Sequence, residues 1–404
     1  MNAAATSPVR GFRDAGVRIL RLDPLMLLAT LGIIAASVYT VGTATRDDIA
    51  GDPNYFAYRQ AAYAGVGLVL MLLLSRFDYS RLREWKIGLY TFLIGSILLV
   101  YALGFSARGS RRAIEFPFFN FQASELGKLL LAVTLSAFVV DRMRRLTDRD
   151  TTSRVVLLAL FPAMLVIAQP DLGSGLVYLA ILLAVLFVAG TPWTHFAGLA
   201  GLTAVALVVV LVAAPAAGVQ LLKPYQMDRL TAFLDPTSDP GETGYQINQS
   251  LTAIGSGGKT GRGDDATQTR LDFLPEHHTD FIFSVVGEEF GFVGAALVLS
   301  LFALLIWRAL RTLTMAKNFY GALVAGGITA MLMFQVFVNV GMTIGIMPIT
   351  GIPLPLMSYG GSSVLTTLMA IGILQSIHAQ ARETAAGKLP GHGRPGRPFT
   401  AGGL

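Results

Sequence analysis

The chain has 404 residues, of which 14% are charged and 53% hydrophobic, with no cysteine. An ordinary soluble domain carries roughly 25% charged residues. These values exclude a disordered chain, a coiled coil, a disulfide scaffold, thiolate catalysis and a Cys-ligated metal centre. They leave a polytopic membrane protein whose few charges carry both topology and chemistry. The net charge of +6 is the excess that cytoplasmic loops bring, and it is not read as nucleic-acid binding.

In chain order, residues 1–23 form a basic N-terminal segment with Arg10, Arg13, Arg18 and Arg21. No small-residue cleavage site follows, so the first apolar run reads as a retained helix. A span needs about 20 apolar residues. Ten runs qualify: 24–43, 57–75, 87–105, 124–140, 155–170, 173–190, 194–214, 281–307, 319–343 and 357–379. The predicted fold is all-α and polytopic. Seven spans fill 24–214, a large external loop covers 215–280 between the seventh and eighth, and three spans fill 281–380. In that loop Ile247, Leu251 and Ile254 form an apolar helical stripe, and Tyr225, Met227, Leu230, Phe233 and Leu234 a second amphipathic set. Short interfacial helices over the bundle are expected there. The Gly-, Pro- and Arg-rich tail 381–404 reads as disordered and cytoplasmic.

Basic residues fix the orientation. With the N-terminus inside, 20 of the 31 Lys and Arg fall on the inner side, which puts both termini in the cytoplasm. The exceptions are informative. Arg108, Arg111 and Arg112 crowd a short external loop. That loop is either basic by chance or grips an anionic group, since Arg binds phosphate oxygens bidentately.

Ionisable groups within or beside spans are costly and are functional suspects. Glu125 and Lys128 share one helix face, Asp171 lies in the turn Gln169-Pro170-Asp171, Asp280 opens the eighth span, and Glu288 and Glu289 follow about two turns deeper. Arg59, Arg111, Arg112, Glu125, Lys128, Asp171 and Asp280 all gather at the external face. A buried ion-pair network and a site for an anionic amphiphile both stand open. The stretch Met347–Ser363 holds Pro348, Pro353, Pro355 and repeated glycines, and cannot sustain a helix. It is either a plain turn or the polar lining of a substrate groove, because broken backbone at membrane depth survives only in protein or along a cavity.

Three motifs fail. Gly255-Ser256-Gly257-Gly258-Lys259-Thr260 mimics a phosphate loop, but Ala253 stands where the first glycine is required. His277, His278 and Asp280 lack a further ligand for zinc. Arg262-Gly263-Asp264 is a chance match. The pairs Gly198/Gly201 and Gly326/Gly327 suggest close helix packing.

Four blocks resemble the SEDS family, the RodA/FtsW peptidoglycan polymerases: Tyr58-Arg59-Gln60; Gly109–Ile114 with Phe121–Lys128; Leu274-Pro275-Glu276 with His278–Phe283 and Gly287–Glu289; and Pro353–Ser363. The resemblance covers about 20–380. Ala113 stands where the family usually has Trp, and Ala123 where it has Pro. Ala253–Gly258 is more similar to the RodA elongation branch than to the FtsW division branch. The resemblance implies polymerisation of lipid II into a nascent glycan strand, at the outer face of the bacterial cytoplasmic membrane. The reaction inverts the anomeric centre, so it needs one base for the attacking hydroxyl and support for the departing pyrophosphate.

Asp280 matches the family's catalytic Asp and is the expected base. Arg59, Arg111, Arg112 and Lys128 are candidates for the pyrophosphate. Glu125 and Asp171 are expected to orient those cations, either of them alternatively a second acid/base, and Ser358, Gly360, Gly361 and Ser362 to line the substrate groove. No protein metal ligand is assigned and no cofactor is required. A divalent cation, Mg or Mn, bridging pyrophosphate and carboxylate, fits the chemistry without being demanded by any residue. The family works with a class B penicillin-binding protein, so a single-span transpeptidase partner is implied. A lipid II flippase and a non-catalytic scaffold are the competing readings.

Overall fold

The computed structural model describes residues 22–388, apart from 50, 108–109, 117, 217, 219–242 and 270–272. Each of the ten expected spans is a helix: α1 Pro24–Ala44, α2 Tyr55–Arg76, α3 Lys86–Leu103, α4 Ala123–Asp141, α5 Arg149–Ala168, α6 Leu172–Val188 and α7 from Trp193. After α8 (Thr243–Ser256) come α9 Ile282–Met315, α10 Phe319–Thr343 and α11 Gly361–Lys388. Nine are long and apolar enough to cross a membrane, and α6, at 17 residues, is a shorter tenth. This is an all-α integral membrane protein.

The helices bury one another unequally. α4 is central, with Leu131, Ala132, Leu135, Ala137 and Val139 all inaccessible. α11 packs along α2, α10 along α6 and α4, and α9 along α1 and α10. Gly326 and Gly327 support this, since a Cβ there would come within 2.9 Å of Val188 and 3.2 Å of Ala132. Gly198 and Gly201 do not, because among the described residues nothing lies within 4 Å of a Cβ at either. They sit on α7, none of whose residues is buried, so the expected close packing is absent at that pair.

Other differences are local. Phe105–Ala107, Ser110–Glu115 and Asn120–Phe121 form a small antiparallel sheet, β1-β2-β3, where the sequence read as a loop. α8 packs on the bundle through Ile247, Ser250 and Ala253 at three-residue spacing, while Leu251 stays 41% exposed. Ser250 Oγ lies 2.6 Å from Ser284 Oγ and donates to Thr343 O at 2.7 Å. A hydroxyl thus takes the place that the predicted stripe gave to Leu251. Past the end of α8, a Cβ on Gly257 would lie 1.9 Å from Gly287 O, so this glycine run serves backbone contact with α9 rather than phosphate. α9 breaks at Gly291, with φ +62° and ψ −159°. α11 continues to Lys388, beyond the 380 boundary read from sequence. The second amphipathic set, 225–234, lies outside the described residues.

Candidate active site

The backbone before α9 makes a strained turn. Glu276 adopts φ +57°, uncommon for a residue with a Cβ. Its carbonyl accepts from the N–H groups of Thr279, Asp280 and Phe281 at 3.2, 3.1 and 3.3 Å, and its carboxylate accepts from Thr279 Oγ1 at 2.8 Å. The turn projects Asp280, half-buried, just ahead of α9. Asn339 on α10 donates from Nδ2 to Asp280 O and to Ile352 O, both at 2.8 Å.

The broken segment between α10 and α11 faces this turn. Ile349, Ile352, Leu354, Leu356, Met357 and Ser358 are all buried, so the irregular backbone is enclosed by protein as membrane depth requires. Ser358 Oγ accepts from Leu354 N at 2.8 Å, and its carbonyl accepts from Gln60 Nε2 at 3.2 Å. Gly351 sits at φ +70°, where a Cβ would lie 3.4 Å from Asp280 Oδ2.

A cleft of about 750 Å³ opens between these segments. Asp280, Glu125, Arg59, Gly360, Gly361 and Ser362 line it, joined by Glu115, Gln122, Glu276, His278 and Tyr359. Arg59 is held from three sides: Nε donates to the Tyr63 hydroxyl at 3.1 Å, Nη2 to Phe118 O at 2.7 Å, and Nη1 to the Tyr55 hydroxyl. Five guanidinium N–H groups minus three committed leaves two for a ligand. Ser362 Oγ donates to Asn120 O at 2.6 Å and accepts from Gln122 N at 3.0 Å, tying β3 to α11. Tyr359 packs between Phe56 and His278. Burial pushes its phenol above the ordinary tyrosine range, so it is neutral at physiological pH.

The remaining sequence candidates lie behind this surface. Lys128 is 1% exposed, and its ammonium donates to Glu125 Oε1 at 2.6 Å. It is therefore committed to that carboxylate beneath the cleft. Asp171 does not pair with a cation among the described residues. Its Oδ2 accepts from Ser124 Oγ at 2.8 Å and Gln122 Nε2 at 3.2 Å, and its Oδ1 caps α6 through Ser174 N at 3.1 Å. It orients polar neighbours of Glu125 rather than the cations expected from sequence. Arg111 and Arg112 are on β2, beside the lining residues Ala113 and Glu115; their side chains lie outside the described residues.

Glu288 takes a structural part, accepting from Thr267 N, Gln268 N and Thr269 N at 2.8, 2.9 and 3.0 Å and so pinning that loop to α9. Among the described residues, Asp48, His277 and His278 are the one trio whose ligand atoms converge within 4.8 Å. His277 Nδ1 and Nε2 each face a carbonyl oxygen at 3.1 Å, on Leu274 and Ala44. Both ring nitrogens are thus turned to backbone carbonyls, an arrangement that does not suit a metal ligand.

Sequence reasoning assigned no role to Glu276, Asn339, Gln122 or the tyrosines around Arg59. Asn339 carried a signal, as one of two amides, with Gln335, in an apolar span. The turn at Glu276 carried none, because a residue with a Cβ gives no sign in its type that it will adopt a positive φ.

Comparison with known proteins agrees with this architecture. The sequence model of the FtsW/RodA/SpoVE family, described as "Cell cycle protein", matches residues 20–383. The probable peptidoglycan glycosyltransferase FtsW of Thioalkalivibrio sulfidiphilus is 38% identical over 394 residues, spanning 93% of this chain and 95% of that protein. The peptidoglycan glycosyltransferase MrdB of Escherichia coli K12 is 37% identical over 364 residues, spanning 90% and 95%. The two identities are so close that they do not separate the elongation branch from the division branch. A solved structure of a peptidoglycan synthase complex that coordinates polymerization and crosslinking superposes with a TM-score of 0.76 at 34% identity, covering 89% of this chain and 98% of that one. The chain belongs to the FtsW/RodA/SpoVE family.

Proposed function

We propose that this chain joins lipid II units into glycan strands at the outer face of the bacterial cytoplasmic membrane, with Asp280 as the base. The chain is a peptidoglycan glycosyltransferase, as its relatives are named. The observation that carries the site assignment is the convergence of Asp280, Arg59 and the Gly360–Ser362 segment on one cleft. Asp280 takes the proton from the acceptor 4-hydroxyl as that oxygen attacks the anomeric carbon. The bond from that carbon to the pyrophosphate oxygen breaks, and undecaprenyl pyrophosphate leaves with its electron pair. Attack opposite the leaving group inverts the centre, so one base and one stabilised leaving group suffice.

Arg59 faces the leaving pyrophosphate with its two uncommitted N–H groups. Arg111 and Arg112 add charge from β2. Glu125, tied to Lys128, supports the cleft or serves as a second acid/base. A Mg or Mn ion would enter with the substrate's pyrophosphate, and the cleft carboxylates Asp280 and Glu125 would be the residues to hold it, where it would supply positive charge to the leaving group. Both termini are assigned to the cytoplasm on the positive-inside balance. The elongation role rests on the Ala253–Gly258 segment, and the partner is a single-span transpeptidase, consistent with the superposed synthase complex.

Incubation of the detergent-purified chain with lipid II and the transpeptidase tests the reading. Glycan polymer on a gel is expected. Unchanged lipid II would favour a flippase, which makes no polymer in detergent.

A further inference from the structure

A second polar cavity lies at the far end of the bundle, about 240 Å³ in volume and lined by Asp23, Leu25, Arg308, Arg311, His378 and Arg382 among others. It is remote from the cleft. Gly361 begins α11 in the cleft and His378 lies 17 residues on, roughly 26 Å along a helix axis, close to the thickness of a bilayer core.

Its charges do not balance. Asp23 is fully buried, and its carboxylate is committed. Oδ1 caps α1 by accepting from Leu25 N at 3.1 Å and Met26 N at 3.3 Å. Oδ2 accepts from Arg308 Nε at 2.6 Å and pairs with Arg308 Nη2 at 2.5 Å. Asp23 thereby neutralises Arg308. Arg311, one turn on, and Arg382, one turn past His378, face the same cavity with no carboxylate paired to either among the described residues. His378 is 3% exposed, and its Nδ1 has no hydrogen-bond partner, lying 3.8 Å from Asp23 Oδ2, whose lone pairs are already taken by Arg308. A buried polar atom of that kind ordinarily has a partner.

The rim is apolar. Leu25 and Met315 line the cavity and are 39% and 36% exposed, and Leu28, further along α1, is 59% exposed. Trp307 is 51% exposed beside the Arg308 guanidinium, 5.2 Å from its ring centroid. An exposed tryptophan at the end of an apolar helix marks the membrane–water boundary.

We infer that this cavity is a binding site for the phosphate of an anionic membrane phospholipid. Arg311 and Arg382 grip the phosphodiester oxygens, His378 supplies a further polar contact, and the acyl chains lie along Leu25, Leu28 and Met315. The excess of two guanidiniums favours a lipid with net negative charge over a zwitterionic one, whose ammonium would meet Arg311 and Arg382. A soluble phosphate ester would share the polar contacts but not the apolar rim.

Native mass spectrometry of the full chain in detergent tests this, with dioleoyl phosphatidylglycerol, dioleoyl phosphatidylcholine, or the former together with inorganic phosphate. One retained phosphatidylglycerol per chain is expected, in preference to phosphatidylcholine and undisturbed by millimolar phosphate. The Arg311→Gln/Arg382→Gln variant should bind it roughly thirtyfold more weakly. Both side chains are exposed, so the fold is expected to survive. The Arg144→Gln/Arg145→Gln variant removes equal charge from an exposed turn and should leave binding unchanged. Equal retention of the two lipids, equal loss in both variants, or displacement by inorganic phosphate would each overturn the assignment.

Discussion

Asn339 holds Asp280 by its backbone, donating from Nδ2 to the Asp280 carbonyl at 2.8 Å. The same nitrogen donates to Ile352 O at 2.8 Å, so one buried amide joins the turn before α9 to the broken segment after α10. The distance between the expected base and the glycine-rich wall of the cleft depends on it. Replacing Asn339 by Leu keeps the branched outline with a larger, apolar group and leaves two carbonyls unpaired, at about 1–3 kcal/mol each. The expected outcome is a lower Tm and a polymerisation rate reduced about 10- to 100-fold with Asp280 still present, read by lipid II turnover and thermal unfolding in detergent.

Gly351 clears the space in front of the base. Its φ of +70° disfavours any side chain, and a Cβ would stand 3.4 Å from Asp280 Oδ2. Gly351→Ala is expected to cost about 1–2 kcal/mol of backbone strain and to slow polymerisation. Gly351→Val should slow it further, with the protein still inserted in membranes. Equal activity of the three proteins would show that the carboxylate needs no such clearance.

Glu125 and Lys128 form an ion pair in which both side chains are at most 4% exposed. Lys128→Met strands the carboxylate and should destabilise the fold by about 3–5 kcal/mol. Adding Glu125→Gln removes the stranded charge, so the double variant should recover most of the lost Tm. If the recovered double variant also polymerises lipid II, Glu125 is a support. If it folds without activity, Glu125 takes part in proton transfer.

Tyr79 and Tyr359 lie outside the spanning helices, and burial is the main cause that pushes both phenols above the usual value of 10.0. The folded chain then keeps protons that the unfolded chain has lost. Stability is present in full below the unfolded pKa and falls as pH rises past it. Melting curves between about pH 9 and about pH 11 should show Tm falling, with a shallower fall in Tyr79→Phe/Tyr359→Phe. An unchanged slope in that variant would remove these two groups from the alkaline transition.

Different parts of the molecule were legible for different reasons. The spans were readable because a bilayer demands long apolar runs, and α1 to α7 and α9 to α11 each coincide with one. The irregular backbone of Met347–Ser363 was readable from its three prolines, whereas its packing against protein, rather than as a plain turn, was left open. The β1-β2-β3 sheet was missed because its strands are short and show little alternation. The pairing of Glu125 with Lys128 was visible in their three-residue spacing, whereas the partners of Asp171 and Glu288 were not, because backbone and hydroxyl donors leave no charge pattern in a sequence. Leu251 was assigned inward on periodicity, yet the helix turns a serine to the bundle because Ser284 and Thr343 present polar partners there.

The central claim is that Asp280 removes the acceptor proton. Polymerisation of purified lipid II by Asp280→Asn, in complex with the transpeptidase, tests it most directly, since the amide is nearly isosteric with the carboxylate but a far weaker base. The account predicts a folded complex with a Tm near that of the unaltered chain and no glycan polymer. Polymer formed by Asp280→Asn at the unaltered rate would contradict it.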